Sequence, residues 1–596
     1  MCQSNQLQNL QISGDKTMKY LILLLITSYL LISCGKGIAP SNRSKVNFGA
    51  EWIFTKDSTS LNWEKVTLPH AAQIEPLVVN NQWQGDCWYQ KTFDQPKTDN
   101  KVFLYFEGVM HEAWIWVNGE LITHHQGGYL PFTVDITDIV LPHDNTVIVK
   151  VNNQDNPQIP PGKTLKTLDF NYYGGIYRNV YLLQTNKTYI TDAVHANKVN
   201  SGGILVNFNA ISKEKASGLV KIHVKNEEDK SKKVKASITF KNDSETISFT
   251  TNEISMEPNS NASLSQNIEI FNPKLWGILN PNLYEVEVRL IADSKTIDSQ
   301  TIKTGIRKAE LRADGFYLNE EKVFINGTNR HQEYPYIGYA LSDEANYRDA
   351  VKIKNAGFDF VRLSHYPHAE SFMKACDELG LLVMNCISGW QFSGDEKFIE
   401  NSYQEIRDLA RRDRNHPSVI FWANGNEGGH NLDLDQFFKD WDIQKRPVVH
   451  PWQAFGGFDT QHYRQYNYGI GNYENGKEIV MPTEFLHGQF DGGHGAGIDD
   501  YWEKMWHNPL SAGGFLWDFA DNAVVRKDKN DSLDTDKHRA ADGIVGPHHE
   551  KEASFYTIKE VWSPVYFERR EIAEGFDGKL NIENRYHFTN TKECSF

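Results

Sequence analysis

The chain has 596 residues, enough for three to five domains, and its 40% hydrophobic and 23% charged content excludes a disordered or collagen-like polymer. A formal net charge of −15 excludes the basic face that a nucleic-acid partner requires. The six cysteines (Cys2, Cys34, Cys87, Cys376, Cys386 and Cys594) show neither CxxC nor zinc spacing, so no disulfide framework or zinc site is expected.

In chain order, the first predicted element is a leader. Lys19 precedes an apolar run over residues 21–32, too short to span a bilayer and suited to a signal-peptide core. The run ends in Leu31-Ile32-Ser33-Cys34, which resembles a lipoprotein cleavage box. The expectation is a lipoprotein-type signal peptide over 1–34, with Met18 as the true start and Cys34 lipidated. The protein would then sit at a bacterial cell envelope, on the periplasmic or outer face, with a secreted enzyme as the alternative. Residues 35–45 are polar and small, as a tether would be.

Over 46–184 short strands such as VFLYFEGV, AWIWVNGELI and TVIVKVNN predict a jelly-roll-like β-sandwich, with Asn118-Gly119 at a hairpin turn. Over 188–305 the alternating strands GLVKIHVKN, KASITF and YEVEVRLIA predict an immunoglobulin-like sandwich. From 306 to 570 apolar strands alternate with helical segments. KVFING, FDFVRLS, LLVMNCI, SVIFWANGNE, RPVVHPW, a weak run near DTQHY, EIVMPTEF and GGFLWDF make eight, which predicts a (β/α)8 TIM barrel. Residues 579–596 return to strand character. A lone strand pair cannot fold by itself; it either packs on the barrel or opens a further β domain that is cut short, and the second reading is favoured.

Two of the barrel strings carry carboxylates at their ends: Glu427 in FWANGNEGGH and Glu484 in IVMPTEFLHG. A glutamate after a strand is more often a surface charge or the start of a helix. Here the glycines at 425, 428 and 429 allow close backbone approach, and Trp422 and Phe485 offer stacking surface. Strand C-terminal ends are where a barrel keeps its catalytic groups, and these are the fourth and seventh strands. Two carboxylates so placed are what glycoside hydrolysis needs.

With these residues in hand, the chain resembles glycoside hydrolase family 2, the family of bacterial β-galactosidases and β-glucuronidases. LPHAAQIEP, GDCWYQKTF and YYGGIYRNVYL look like its sugar-binding sandwich. GIRKAE, GFYLNEEKVFINGTNRHQEYP, VRLSHYP, WANGNE, PTEF and GGFLWDFADN look like its barrel. The resemblance implies a retaining mechanism, with Glu484 as nucleophile and Glu427 as general acid/base. It also implies that Asn426 bonds the sugar 2-hydroxyl, that His331, Arg362 and His365 line the pocket, and that Trp517 forms part of the sugar subsite. By the same resemblance Tyr463 contacts the nucleophile, and Asp169 and Asn171 reach in from the first sandwich. Burial and the neighbouring carboxylate are expected to raise the pKa of Glu427.

The stretch after the third strand, NCISGWQF, has Asn385, Trp390 and Phe392 where metal-dependent members of the family carry acidic and histidine ligands. No cofactor and no metal is therefore expected. The Asn-x-Lys pair of β-glucuronidases is not evident after the eighth strand, and ADGIVGPHHEKEASFYTIKEVWSPV is similar to the β-galactosidase-like branch. The expected activity is that of a retaining exo-β-glycosidase on terminal β-D-galactosides. Its alternatives are a β-glucuronidase or other β-glycosidase of the same mechanism, and a carbohydrate-binding protein with impaired catalysis.

Overall fold

The computed structural model describes residues 43–79, 81–95, 99–463, 476–487, 497–534 and 542–595. The leader and Cys34 lie outside the described residues. Among the described residues, no helix is long and apolar enough to cross a membrane.

The first sandwich packs two antiparallel sheets. One pairs Ser44–Asn47, Val180–Thr185, Lys101–Phe106 and Phe132–Asp135; the other contains Trp52–Thr55, Asp86–Phe93, Asn145–Asn152 and Glu112–Val117. Strict alternation puts Ala113, Ile115 and Val117 inward with Val147, Val149 and Val151, against Leu104 and Phe106 of the facing sheet. At the predicted hairpin, Asn118 and Gly119 have φ of 50° and 87°, the left-handed pair of a type I′ turn. The second sandwich sets Ile204–Ile211, Lys215–Asn226 and Ser260–Phe271 against Lys232–Lys241, Tyr284–Ala292 and Lys295–Thr304. Val220, Ile222, Ile238 and Val288 are fully buried between them.

The barrel strands are β1 (Ile325–Arg330), β2 (Phe360–Leu363), β3 (Leu382–Cys386), β4 (Val419–Ala423), β5 (Val448–Val449), β6 (Phe458–Asp459), β7 (Ile479–Val480) and β8 (Gly513–Leu516). Each overlaps one of the eight predicted runs, the weak sixth included. Parallel pairing runs β8-β1-β2-β3-β4-β5, and β6 pairs β7. Single bridges from Val480 to Ser511 and from Phe485 to Leu516 join β7 to β8. The helices α1 (Asp343–Asn355), α2 (Glu370–Leu379), α3 (Glu396–Asp413), α4 (Asp433–Trp441), α5 (Ile498–Trp506) and α6 (Ala553–Val561) cover the outside. Ser342 and Asp395 cap α1 and α3 by accepting from the Ala345 and Phe398 N–H groups. Gly380 ends α2 with φ of 69°, the left-handed stop that glycine supplies.

Cys376 and Cys386 are fully buried, and burial pushes the Cys386 thiol up to about 11; both are core residues. Trp422 and Phe485 are not stacking surface. Both belong to the layer between strands and helices, and the Trp422 indole donates to Asp442. The C-terminal strand Ile582–Asn584 pairs Val565–Phe567, and Arg585 bonds Glu503 of α5, so this segment packs on the barrel.

Glu405 of α3 points inward and takes the N–H and hydroxyl of Ser388 on one oxygen, while the other has no partner. Burial pushes this carboxyl up to about 7, outweighing the Ser388 donors. A folded-state value raised above the unfolded one stabilises at low pH and loses that contribution as pH rises through about 7. Glu405→Gln is therefore expected to raise the melting temperature by a few degrees at pH 8 and to change it little at pH 5. Calorimetry at the two pH values checks this; an equal change at both refutes it.

Candidate active site

The carboxylates are brought together by continuing the barrel's pairing past its strands. Beyond β3 and β4, Asn426 N–H donates to Gly389 O and Gln391 N–H to Asn426 O. The glycines make this approach possible: a Cβ on Gly429 would lie 1.8 Å from Gly389 O, and one on Gly425 2.3 Å from Gly429 O. Glu427 itself takes a left-handed φ of 47°, a turn that aims its side chain into the barrel mouth at a cost few side chains accept. On the far side, Tyr463 N–H donates to Glu484 O and Thr483 N–H to Thr460 O, which zips the ends of β6 and β7.

Glu484 is almost fully buried. Arg362 Nη1 donates to its Oε1 at 2.7 Å and the Tyr463 hydroxyl to its Oε2 at 2.5 Å. Arg362 is completely buried and also donates to Asn329 Oδ1, at 2.9 Å, and to Asn426 Oδ1, at 2.5 Å. Asn329 in turn donates to the carbonyls of Thr483 and Leu516. The carboxylate is thus held by a fixed guanidinium and a phenol, one on each oxygen.

Glu427 sits opposite. Its Oε1 lies 3.0 Å from His462 Nδ1, and its Oε2 accepts from Trp390 Nε1 and Gln391 Nε2, both at 3.0 Å. Burial raises its carboxyl, but His462, Gln391 and Trp390 outweigh that and leave it below the ordinary range. This corrects the expected upward shift. Burial and a second carboxylate alone would raise the value; three ring and amide groups converging from two other loops reverse it.

His462 also lies 3.3 Å from Glu484 Oε2, and one atom from each of Glu427, His462 and Glu484 falls within 4.8 Å of the others. Each is already engaged in hydrogen bonds: Glu427 with His462, Trp390 and Gln391, His462 with Glu427 and Thr483, and Glu484 with Arg362 and Tyr463. They form a hydrogen-bonded set rather than an open ligand set.

The remaining predicted residues surround this pair. His365 stacks on Trp517 at 5.2 Å, and its Nε2 lies 3.8 Å from Glu484 Oε1. His331 packs edge-on to both and bonds the Tyr366 hydroxyl. Burial, then the Arg362 charge, pushes His331 down to about 3 and His365 well below its ordinary range, so both are neutral hydrogen-bonding groups. Trp517 is pinned by its indole N–H to Asp542. Asn426 Nδ2 is buried without a partner. The first sandwich supplies one wall. Phe170 packs on His331, His365 and Tyr366, and Asp169 and Asn171 line a recess with His331, Glu333, Trp517 and Asn522. The Asn171 amide, however, is engaged by Glu75, Tyr173 and Gln82, so it shapes the wall. Lys163, from the same sandwich, lies over the Trp390 ring and donates to Gln391.

Known proteins match this architecture segment by segment. The sequence models for the sugar binding domain and the TIM barrel domain of glycosyl hydrolases family 2 match residues 51–186 and 309–566, and a further glycosyl hydrolases family 2 model matches residues 205–307. The chain belongs to glycosyl hydrolase family 2. It is 35% identical over 418 residues to a β-galactosidase of Thermoanaerobacter pseudethanolicus, covering 67% of this chain and 53% of that protein. It is 30% identical over 450 residues to a putative β-glucuronidase of Formosa agariphila, covering 72% of this chain and 52% of that protein. The chain thus spans about half the length of these curated relatives. In fold it superposes on Bacteroides uniformis β-glucuronidase 2 with a TM-score of 0.76 at 20% identity, covering 89% of this chain and 71% of that one.

Within this family-2 barrel, the loop after β3 carries Asn385 bonded to Asp413 and Trp390 bonded to Glu427. Three site residues, His462, Gln391 and Asn329, lie inside strings read above but carry no role there. Only the adjacency of His462 to Tyr463 in the weak sixth run could have flagged the first.

Proposed function

We propose that the protein is a retaining β-glycosidase that cleaves terminal β-D-galactosides by double displacement. The observation that carries this is the pair itself: oxygens of Glu427 and Glu484 lie within 4.8 Å. That matches the separation of about 5–5.5 Å in retaining enzymes and not the about 6.5–9.5 Å that an inverting enzyme needs for its water. The two environments differ: Glu427 meets an imidazole, an indole and an amide, and Glu484 a guanidinium and a phenol. Glu484, charge-paired and hydrogen-bonded, attacks the anomeric carbon and forms the glycosyl-enzyme. Glu427 protonates the leaving oxygen and then takes a proton from the incoming water. Asn426 Nδ2, buried and unpartnered, offers a donor to the sugar beside the acid/base, and Trp517 offers its ring.

The recess beside His331 and Trp517 supports a neutral sugar. Asp169 and Glu333 line it, and among the described residues its lining holds no Lys or Arg to pair with the carboxylate of a glucuronide. A carboxylate of the wall accepts hydroxyls and repels an acid. The test is a panel of aryl β-glycosides with the product anomer followed by NMR. The expected result is hydrolysis of the β-galactoside at least about tenfold faster in kcat/KM than of the β-glucuronide, with retained configuration. Preference for the glucuronide overturns the sugar assignment, and an inverted product overturns the mechanism.

A further inference from the structure

The hydrogen-bond geometry around Glu427 fixes where its proton resides. His462 is buried between the two carboxylates. Its Nε2 lies 2.8 Å from Thr483 Oγ1, and that hydroxyl donates to Thr460 O at 3.0 Å. A hydroxyl has one proton, so Thr483 accepts from His462, and Nε2 carries a hydrogen. Nδ1 then faces Glu427 Oε1 at 3.0 Å and Glu484 Oε2 at 3.3 Å. The other oxygen of Glu427 faces two N–H donors, Trp390 and Gln391, which leaves no room for a proton on that side. Glu484 is filled likewise by Arg362 and Tyr463.

We propose that His462 is the proton-holding partner of the acid/base: a single proton lies between Glu427 Oε1 and His462 Nδ1 and is the one delivered to the leaving group. This rests on the roles given to Glu427 and Glu484 above. In the resting site the Glu484 charge keeps that proton nearby. As Glu484 bonds to the anomeric carbon and the glycosidic C–O bond breaks, the proton passes through Glu427 to the departing oxygen, leaving a neutral imidazole and an ionised Glu427. Glu484 is now an ester without charge, so nothing draws a proton back to the pair until water attacks. Water then gives its proton to Glu427, its oxygen bonds to the anomeric carbon, and the ester bond to Glu484 breaks. The proton returns to the Oε1–Nδ1 position, so one proton leaves and one arrives per turnover.

The charged and titratable groups around His462 are few. Glu427 approaches from the loop after β4 and Glu484 from that after β7, with Arg362 and His365 from β2 and its end beyond Glu484. Tyr463 packs edge-on at 5.7 Å, and the Trp452 ring faces the imidazole at 6.3 Å. Among the described residues, the two carboxylates are the groups that meet Nδ1. His462 acts through Glu427 and is a positioning residue.

The test uses the full chain, with His462→Met and Thr483→Val checked for cooperative unfolding. kcat/KM is measured against pH for a phenyl and a 2,4-dinitrophenyl glycoside of the preferred sugar. His462→Met is expected to lose about 100-fold on the phenyl glycoside and less than about fivefold on the dinitrophenyl one, which needs no proton. Its basic limb is expected to move to lower pH, because a carboxyl alone gives up a proton at lower pH than a carboxyl–imidazole pair. Thr483→Val, which frees the tautomer, is expected to move the limb the same way by less. Equal losses on both substrates with an unmoved limb overturn the proposal. If His462→Met does not fold, an unmoved limb in Thr483→Val does so. Failure of the underlying assignment looks different: there Glu427→Ala and Glu484→Gln keep wild-type turnover.

Discussion

Glu484→Gln is expected to lower kcat by about 10⁴-fold or more, since an amide cannot form the glycosyl ester and the whole nucleophilic route is lost. The substitution keeps the shape and one acceptor for Arg362, which donates to Glu484 at 2.7 Å, so the fold is expected to survive. It does leave the fully buried guanidinium without its countercharge, and breaking a buried pair costs up to about 3–5 kcal/mol. A lower melting temperature should accompany the lost activity. The decisive measurement is trapping. A 2-deoxy-2-fluoro glycoside of the preferred sugar should label Glu484, identified by peptide mass mapping, and the Gln variant should take up no label. A label on Glu427, or on any other carboxylate, removes the assignment.

Glu427→Ala should separate substrates by how much help their leaving group needs. A phenyl glycoside is expected to lose about 10³-fold in kcat/KM, and a dinitrophenyl glycoside less than about tenfold in its first step, because only the former must be protonated. The side chain removed lies among Trp390, Gln391 and His462, so the void is polar and suits a small anion. Azide is expected to restore turnover of the activated substrate and to give the β-glycosyl azide, with the anomer read by NMR. Equal losses on both substrates, or no azide product, would place the acid elsewhere.

Much of this site is legible in the chain alone. Glu427, Glu484, Asn426 and Arg362 each follow an apolar run or sit in one; direct hydrogen bonds join Glu484, Arg362, Asn426 and Tyr463, and an oxygen of Glu427 lies within 4.8 Å of Glu484. His331, His365 and Trp517 stack around the pair. Other readings fail for definite reasons. Trp422 borders the Glu427 string and so reads as stacking surface, but alternation along β4 turns it outward under α4, where Phe438 and Asp442 hold it. Asn171 lies in the right recess, yet its amide is spent on its own sandwich. The Glu427 shift has the opposite sign to the expected one because its partners come from residues 390, 391 and 462, distant in sequence.

What the sequence determined by itself was the architecture and the two carboxylates. Period-two alternation makes sandwich faces, and strand–helix alternation makes a barrel. A barrel puts the ends of its strands at one mouth whatever the loops contain. What only the tertiary structure decided was the set of donors around the Glu427 carboxyl. The Gly389–Gly429 contact, at a distance no side chain tolerates, swings Trp390 and Gln391 onto one oxygen of Glu427, and the β6–β7 zipper sets His462 against the other. Proton affinity depends on donors within about 3 Å, and which residues come that close is a property of packed loops that no periodicity encodes.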